Sequence, residues 1–319
     1  MALTLTRGPM APKFRILSLA GGGFMGLFSA RIIEHLERTC EAPLGRQFDL
    51  ISGTSVGAIL ALGVAAGVPG REMAEVFTQH GSEIFSDRPP PNGRVSAMRD
   101  ALRYFSQPKY SGDALRAAIG RLVGEDTRLG DLRKPVLIPV TRLRDGEPVL
   151  ITQDTHPDLP IIDLAMAAAA APMMFPAMKI AGELHADGAI HSNTPDLLAL
   201  GHAESWLGVP LRRIHMLSLG TVNAGVRMAE PQSGALGIFG WVQGQRIVQT
   251  VLAAQDRVAT RLAAERLGER YLRVDALVPE EERDAVGLDV ATPQAREILD
   301  RLAAGAEGDG RIVEFLKEV

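Results

Sequence analysis

Two apolar runs near the start of the chain each end in glycine and pass straight into a helical pattern. Phe14–Ala20 leads into Gly21-Gly22-Gly23-Phe24-Met25-Gly26, and Phe48–Ser52 leads into Gly53-Thr54-Ser55-Val56-Gly57. Short runs without polar alternation read as strands buried on both faces, the mark of a parallel sheet covered by helices. Leu27–Arg38 then places Leu27, Ile32, Ile33 and Leu36 on one helical face, and Val56–Ala66 reads as a second helix. Further strands are predicted at Val136–Thr141, Val149–Thr152, Met178–Ala181, Ile214–Leu219 and Tyr271–Val274, with helices filling most intervals. The expected fold is α/β, with helices on both sides of a mainly parallel central sheet and a mainly helical C-terminal part.

Composition narrows the function. The 319 residues are 46% hydrophobic, enough for a sizeable core. No linker divides them, so one domain over 1–319 is expected, with a core over about 14–220 and an extension over about 221–319. The formal charge is −4, from 34 Lys+Arg against 38 Asp+Glu, which argues against a dedicated binder of nucleic acid polymers. Cys40 is the only cysteine, so an intrachain disulfide and a cysteine-built zinc site are excluded. Met1–Lys13 has no signal-peptide core, and no run reaches the roughly 18 apolar residues that span a bilayer. A cytoplasmic protein, at most peripheral to the membrane, is expected. Ser86–Ser111 and Asn223–Gly244 break the rhythm of elements and read as functional loops, the first as a lid. The alanine run Ala167–Ala171 reads as tightly packed helix.

The chemistry concentrates at the glycine turns. Gly53-x-Ser55-x-Gly57 after a strand and before a helix is a nucleophile elbow, in which small neighbours permit a tight turn that lifts the serine oxygen clear. Its bland alternative is a serine that merely caps the helix. The Gly21–Gly26 loop has two readings: unobstructed amides for an oxyanion, or the dinucleotide fingerprint G-x-G-x-x-G. The second needs an acidic residue at the end of the next strand, and Asp49 stands instead at that strand's start. A serine also needs a base. The chain has seven histidines and none after His215, which lies inside an apolar strand and reads as structural. Asp187-Gly188-Ala189 supplies an aspartate on a glycine turn. A metal set of His185, Asp187 and His191 matches no standard ligand spacing, so no metal is expected.

The order of glycine loop, G-x-S-x-G and D-G-A resembles the patatin-like phospholipases, over Ile16–Gly26, Asp49–Gly63, Ala171–Pro195 and Ser218–Thr221, with Tyr271–Val274 and Leu288-Asp289 also similar. The resemblance implies a three-layer α/β/α patatin-like fold and an acyl hydrolase without histidine. Ser55 would be the nucleophile and Asp187 its base. Gly21, Gly22 and Gly23, helped by the amide of Val56, would form the oxyanion hole, with Gly26, Gly53, Gly57 and Gly188 supporting the turns. No cofactor is needed for such chemistry. The loop departs from the family pattern at Ala20, where Asp is usual, and at Met25, where a cation is usual. Phe24, Met25, Met173, Met174 and Phe175 are expected to dry the site and to favour a long acyl chain.

The resemblance further implies a phospholipid substrate at the inner-membrane surface. Leu236–Trp241 and the stretch carrying Arg88, Arg94, Arg99, Arg103, Tyr104 and Phe105 are the candidate membrane contacts. The loop form Ser-Leu-Ala-Gly-Gly-Gly-Phe is also similar to phospholipase effectors of bacterial anti-phage systems, which implies a cyclic nucleotide activator, a cyclic dinucleotide among the candidates. Arg99, Arg103, Arg212 and Arg213 are the phosphate-contact candidates for it. A homo-oligomer stays open, as do two alternatives: a nucleotide-dependent oxidoreductase using Gly21–Gly26, and a patatin-fold regulatory protein with impaired catalysis.

Overall fold

The computed structural model describes residues 12–85, 107–223, 246–308 and 310–317. Its centre is an eight-stranded sheet. The strands are β1 (Phe14–Leu19), β2 (Leu50–Gly53), β3 (Val136–Arg142), β4 (Pro148–Ile151), β5 (Met178–Ile180), β6 (Glu183–Asp187), β7 (Ile214–Leu219) and β8 (Tyr271–Val274). They lie in the order β5-β6-β3-β2-β1-β7-β8, with β4 paired to β3. The run from β3 to β8 is parallel, and β4, β6 and β5 add antiparallel pairs at one side.

Alternating side chains of the central strands feed two separate cores, which is what makes three layers. Leu17 and Leu19 of β1, Leu217 and Leu219 of β7 and Ile138 and Val140 of β3 join one core. Ile16, Met216 and Leu137, pointing the other way, join the second. The first core is covered by α1 (Gly26–Cys40), α2 (Val56–Ala66), α3 (Gly70–Ile84), α4 (Asp113–Val123) and α5 (Ile161–Ala168). The second lies under α6 (Asp196–Ser205) and the end of α7 (Arg246–Leu267). The α/β/α expectation therefore holds, because a strand apolar on both faces must be roofed on both.

The C-terminal part is helical, as expected, apart from β8, which extends the parallel sheet beside β7. Its helix α8 (Pro293–Glu307) packs on α1, where Arg31 meets Asp300 at 2.8 Å and His35 meets Glu307 at 3.0 Å. A short helix α9 (Gly310–Lys317) follows.

One strand goes beyond the expectations and one local expectation is corrected. After the turn expected at Gly182-Glu183, the chain forms a strand, β6, that ends in Asp187; its polar sequence Glu183-Leu184-His185-Ala186-Asp187 hid it, and the outer, antiparallel part of the sheet tolerates such residues. The alanine run is only partly helical: α5 ends at Ala168, and Ala169–Ala171 lead out of it. The proposed lid, the Leu236–Trp241 loop and the arginines from Arg88 to Arg103 lie mostly or wholly outside the described residues.

Candidate active site

The register of the sheet sets the site. Leu19 pairs with Gly53 on one side and with Leu219 on the other, so β1, β2 and β7 end level with one another. Three loops therefore leave the carboxyl edge side by side: Ala20–Met25, Thr54–Ser55 and Gly220–Thr221. On β3, Val136 lies opposite Ile51 and Val140 opposite Asp187. Val140 lies four residues beyond Val136 on β3, and Ser55 four beyond Ile51 on the parallel neighbour, so Asp187 stands level with Ser55.

Ser55 opens α2 with φ 55° and ψ −126°, a conformation that L residues avoid. Its side chain makes no capping hydrogen bond, which removes the reading of Ser55 as a helix cap. The turn is tight enough that a side chain on Gly53 would run into the carbonyl of Gly57, and one on Gly57 into that of Leu19. The strain is thus held by close backbone approach on both sides of the serine.

Asp187 is the last residue of β6 and is 1% exposed. One carboxylate oxygen, Oδ1, accepts from the N–H of Ala189 at 2.9 Å. The other, Oδ2, is buried and has no partner in hydrogen-bonding geometry among the described residues. Burial pushes its pKa up to about 7, against smaller opposing effects from the Ala189 amide and the neighbouring Ser55 hydroxyl. A buried carboxylate beside the hydroxyl of a strained serine is able to take a proton near neutrality.

The glycine loop divides by role. The Gly21 N–H is donated to the carbonyl of Asn193 at 2.9 Å, so Gly21 is not a free oxyanion donor, contrary to expectation. Thr221 Oγ1 donates to the Gly21 carbonyl at 2.8 Å. The N–H groups of Gly22, Gly23 and Val56 have no acceptor among the described residues. Gly23 has φ 56°, and the carbonyl of Leu288 lies where its side chain would be. Gly26 lies against Val56 and Phe77, and Gly188 against Pro139, both without room for a side chain.

These groups open into a cavity of about 380 Å³. Ser55, Val56, Gly22, Gly23 and Asp187 line one part, and apolar side chains of α2, α3, α4 and α7 line much of the rest. Met173, Met174 and Phe175 belong to the wall, as expected. Phe24 does not: it is buried in the core, edge-on to Phe77 and Phe85. Met25 packs against the same core, so an apolar side chain occupies the place where the family carries a cation.

The competing readings separate here. Asp49 lies at the opposite end of β2, where its Oδ2 accepts the Arg15 N–H at 2.8 Å, too far along the strand to meet a ribose beside the glycine loop. His215 is the second residue of β7, also at the far edge, with its ring near that of Phe315. His185 Nδ1 donates to the Glu183 carbonyl at 3.0 Å, and among the described residues no group of three metal-binding side chains converges. Arg213 binds the carbonyl of Pro12 at 2.7 Å, and Arg212 is its neighbour in the 3-10 turn Leu211–Arg213.

Sequence reasoning missed the residues that hold the loops. Thr54 Oγ1 donates to the Ser192 carbonyl at 2.8 Å, Asn193 grips Gly21, and the Leu288 carbonyl accepts the Phe24 N–H at 2.7 Å. Asn193 and Thr194 are buried polar residues, but in sequence the run Ser192-Asn193-Thr194-Pro195 reads as an ordinary helix start.

The fold is a three-layer α/β/α sheet whose carboxyl-edge loops meet at one cavity, and its relatives are hydrolases. Residues 17–200 match the family of patatin-like phospholipases, and the chain belongs to that family. Curated relatives include a cGAMP-activated phospholipase of Pseudomonas aeruginosa, 30% identical over 286 residues that cover 87% of this chain and 83% of that protein. Another of that description, from Vibrio cholerae, is 30% identical over 310 residues, covering 88% of this chain and 86% of the relative. Patatin-like protein 1 of Arabidopsis thaliana is 30% identical over 212 residues, covering 58% and 50%.

Proposed function

We propose that the protein hydrolyses acyl esters of membrane phospholipids through a dyad of Ser55 and Asp187. The observation that carries this reading is a strained, uncapped serine whose hydroxyl neighbours the carboxylate of a buried aspartate, at the wall of an apolar cavity. Asp187 takes the hydroxyl proton as Ser55 attacks the ester carbonyl. The tetrahedral oxyanion is met by the N–H groups of Gly22, Gly23 and Val56, at the start of α2. Collapse expels the lysolipid alcohol, which receives the proton from Asp187. Water then attacks the acyl-enzyme with Asp187 again as base, releasing a fatty acid.

The cavity supports the lipid class. Its lining is apolar apart from the site itself, which suits an acyl chain and offers a polar substrate few partners. At its mouth Met173 is 63% exposed, and Ile190, Ile247 and Val251 are between 43% and 47% exposed. Such a rim suits a bilayer surface, and no helix among the described residues is long and apolar enough to cross one. The whole chain acts as one unit in this reading, peripheral to the inner membrane of a cell's cytoplasm, with a cyclic dinucleotide as activator as in the cGAMP-activated relatives. That activation would make it an effector of antiviral defence, and a homo-oligomer is compatible with it.

Fatty-acid release from mixed bacterial phospholipids, by the parent and by Ser55→Ala, with and without a panel of cyclic nucleotides that includes cGAMP, tests the reading. Release that needs Ser55 supports it. No release from the folded parent under any condition overturns it in favour of a non-catalytic patatin fold, with Met25→Arg the first reversion to try.

A further inference from the structure

We infer that Asp256 on α7 is a positioning residue for the oxyanion donors: it fixes Asn193, and Asn193 fixes Gly21, so that the next two N–H groups are left facing Ser55. This rests on the acyl-hydrolase reading above.

The chain of contacts is continuous. Asp256 accepts from Thr194 Oγ1 at 2.7 Å and from Asn193 Nδ2 at 3.1 and 3.2 Å. The neighbouring Gln255 accepts the Asn193 N–H at 3.2 Å and donates to the Ile190 carbonyl at 3.0 Å. Two successive side chains of one helix turn thus hold the segment that follows Asp187. That segment in turn holds both halves of the site. Its Ser192 carbonyl takes the Thr54 hydroxyl next to the nucleophile, and its Asn193 carbonyl takes the Gly21 N–H at 2.9 Å, with Nδ2 reaching the Gly21 carbonyl at 3.4 Å.

The alternative is a surface carboxylate on a helix with no consequence for the site. Three features argue against it. Asp256 is half-buried, all its side-chain hydrogen bonds go to the loop beside Gly21, and among the described residues no cation forms an ion pair with it. A carboxylate placed this way orients an amide more firmly than a neutral acceptor does, since a charged acceptor strengthens the bond. With it gone, Asn193 Nδ2 loses its stronger partner and keeps only the long contact to Gly21. Oxyanion donors act through fixed aim, so a small drift of Gly22 and Gly23 lowers turnover and leaves ground-state binding nearly intact.

The test compares the parent, Asp256→Asn, Asn193→Ala and the double variant on a short soluble acyl ester, together with thermal stability and hydrogen exchange across residues 20–26. The expected result for Asp256→Asn is a fall in kcat of about tenfold or more with KM within about twofold. Exchange should quicken in the glycine loop and not across the chain. The double variant should be no slower than Asn193→Ala alone, since both act through one contact chain. Parental kcat and exchange in Asp256→Asn overturn the inference, as does a uniform rise in exchange that tracks lost stability. Should the parent show no Ser55-dependent turnover, the hydrolase reading fails by itself, and unchanged exchange at 20–26 in Asp256→Asn decides against the brace.

Discussion

Phe24, inside the glycine loop, donates its N–H at 2.7 Å to the carbonyl of Leu288, a residue from the far end of the chain. The same carbonyl stands where a side chain on Gly23 would lie. The next residue, Asp289, is tied to Lys109 at 2.6 Å and to the Tyr110 hydroxyl at 3.1 Å, which burial and the adjacent carboxylate push up to a pKa of about 12. The C-terminal extension is therefore part of the wall around the proposed oxyanion donors and not an appendage.

Gly23→Ala follows directly from that contact. The left-handed φ and the Leu288 carbonyl both oppose a methyl group, so a loss of about 2 kcal/mol in stability is expected, with a fall in esterase turnover larger than the stability change explains. Denaturant midpoints and kcat on the same preparations check it.

Ser55 carries strain that glycine does not feel. Ser55→Ala and Ser55→Gly should both abolish hydrolysis and labelling by a fluorophosphonate, while Ser55→Gly should be the more stable of the two by about 1 kcal/mol. Equal stability of the two variants would remove the strained elbow from the account.

Asp187 gives activity and stability opposite dependences on pH. As a base it works ionised, so kcat on a soluble ester should rise with pH through about 7. Its pKa is raised above the ordinary 3.8, so between those values the native state holds a proton that the unfolded chain has released. Stability from this group is then lost as pH rises through that window. Asp187→Asn, inactive, should be more stable than the parent at pH 8, on the order of 2–4 kcal/mol, and should lose that advantage below about pH 4.

The cavity mouth predicts an interfacial phenotype. Met173→Ser and Ile247→Ser remove exposed apolar surface at the rim, so binding to phospholipid vesicles in co-sedimentation should weaken more than turnover of a short soluble ester. Equal vesicle binding by parent and variants would place membrane contact elsewhere on the molecule.

Much was readable without coordinates because buried parallel strands and glycine turns write themselves in local sequence. β7 and β8 occupy the very residues expected, as does α2, and the strand-turn-helix around Ser55 follows from five consecutive residues. Ser55 and Asp187 were each visible as local motifs, though their proximity was not. That proximity depends on β6, a polar strand that no apolar pattern announces, and on its register with β3. The same limit applies to the oxyanion loop. Three glycines look equivalent along the chain, yet Gly21 gives its N–H to Asn193, while those of Gly22 and Gly23 have no acceptor among the described residues. Asn193, Asp256 and Leu288 reach the site from segments far apart in sequence, and their roles exist only as hydrogen bonds across that distance. Local patterns of size and polarity determined the fold class and the reactive turns; tertiary contacts alone decided which amides are engaged, which carboxylate is buried beside the serine, and how dry the space between them is.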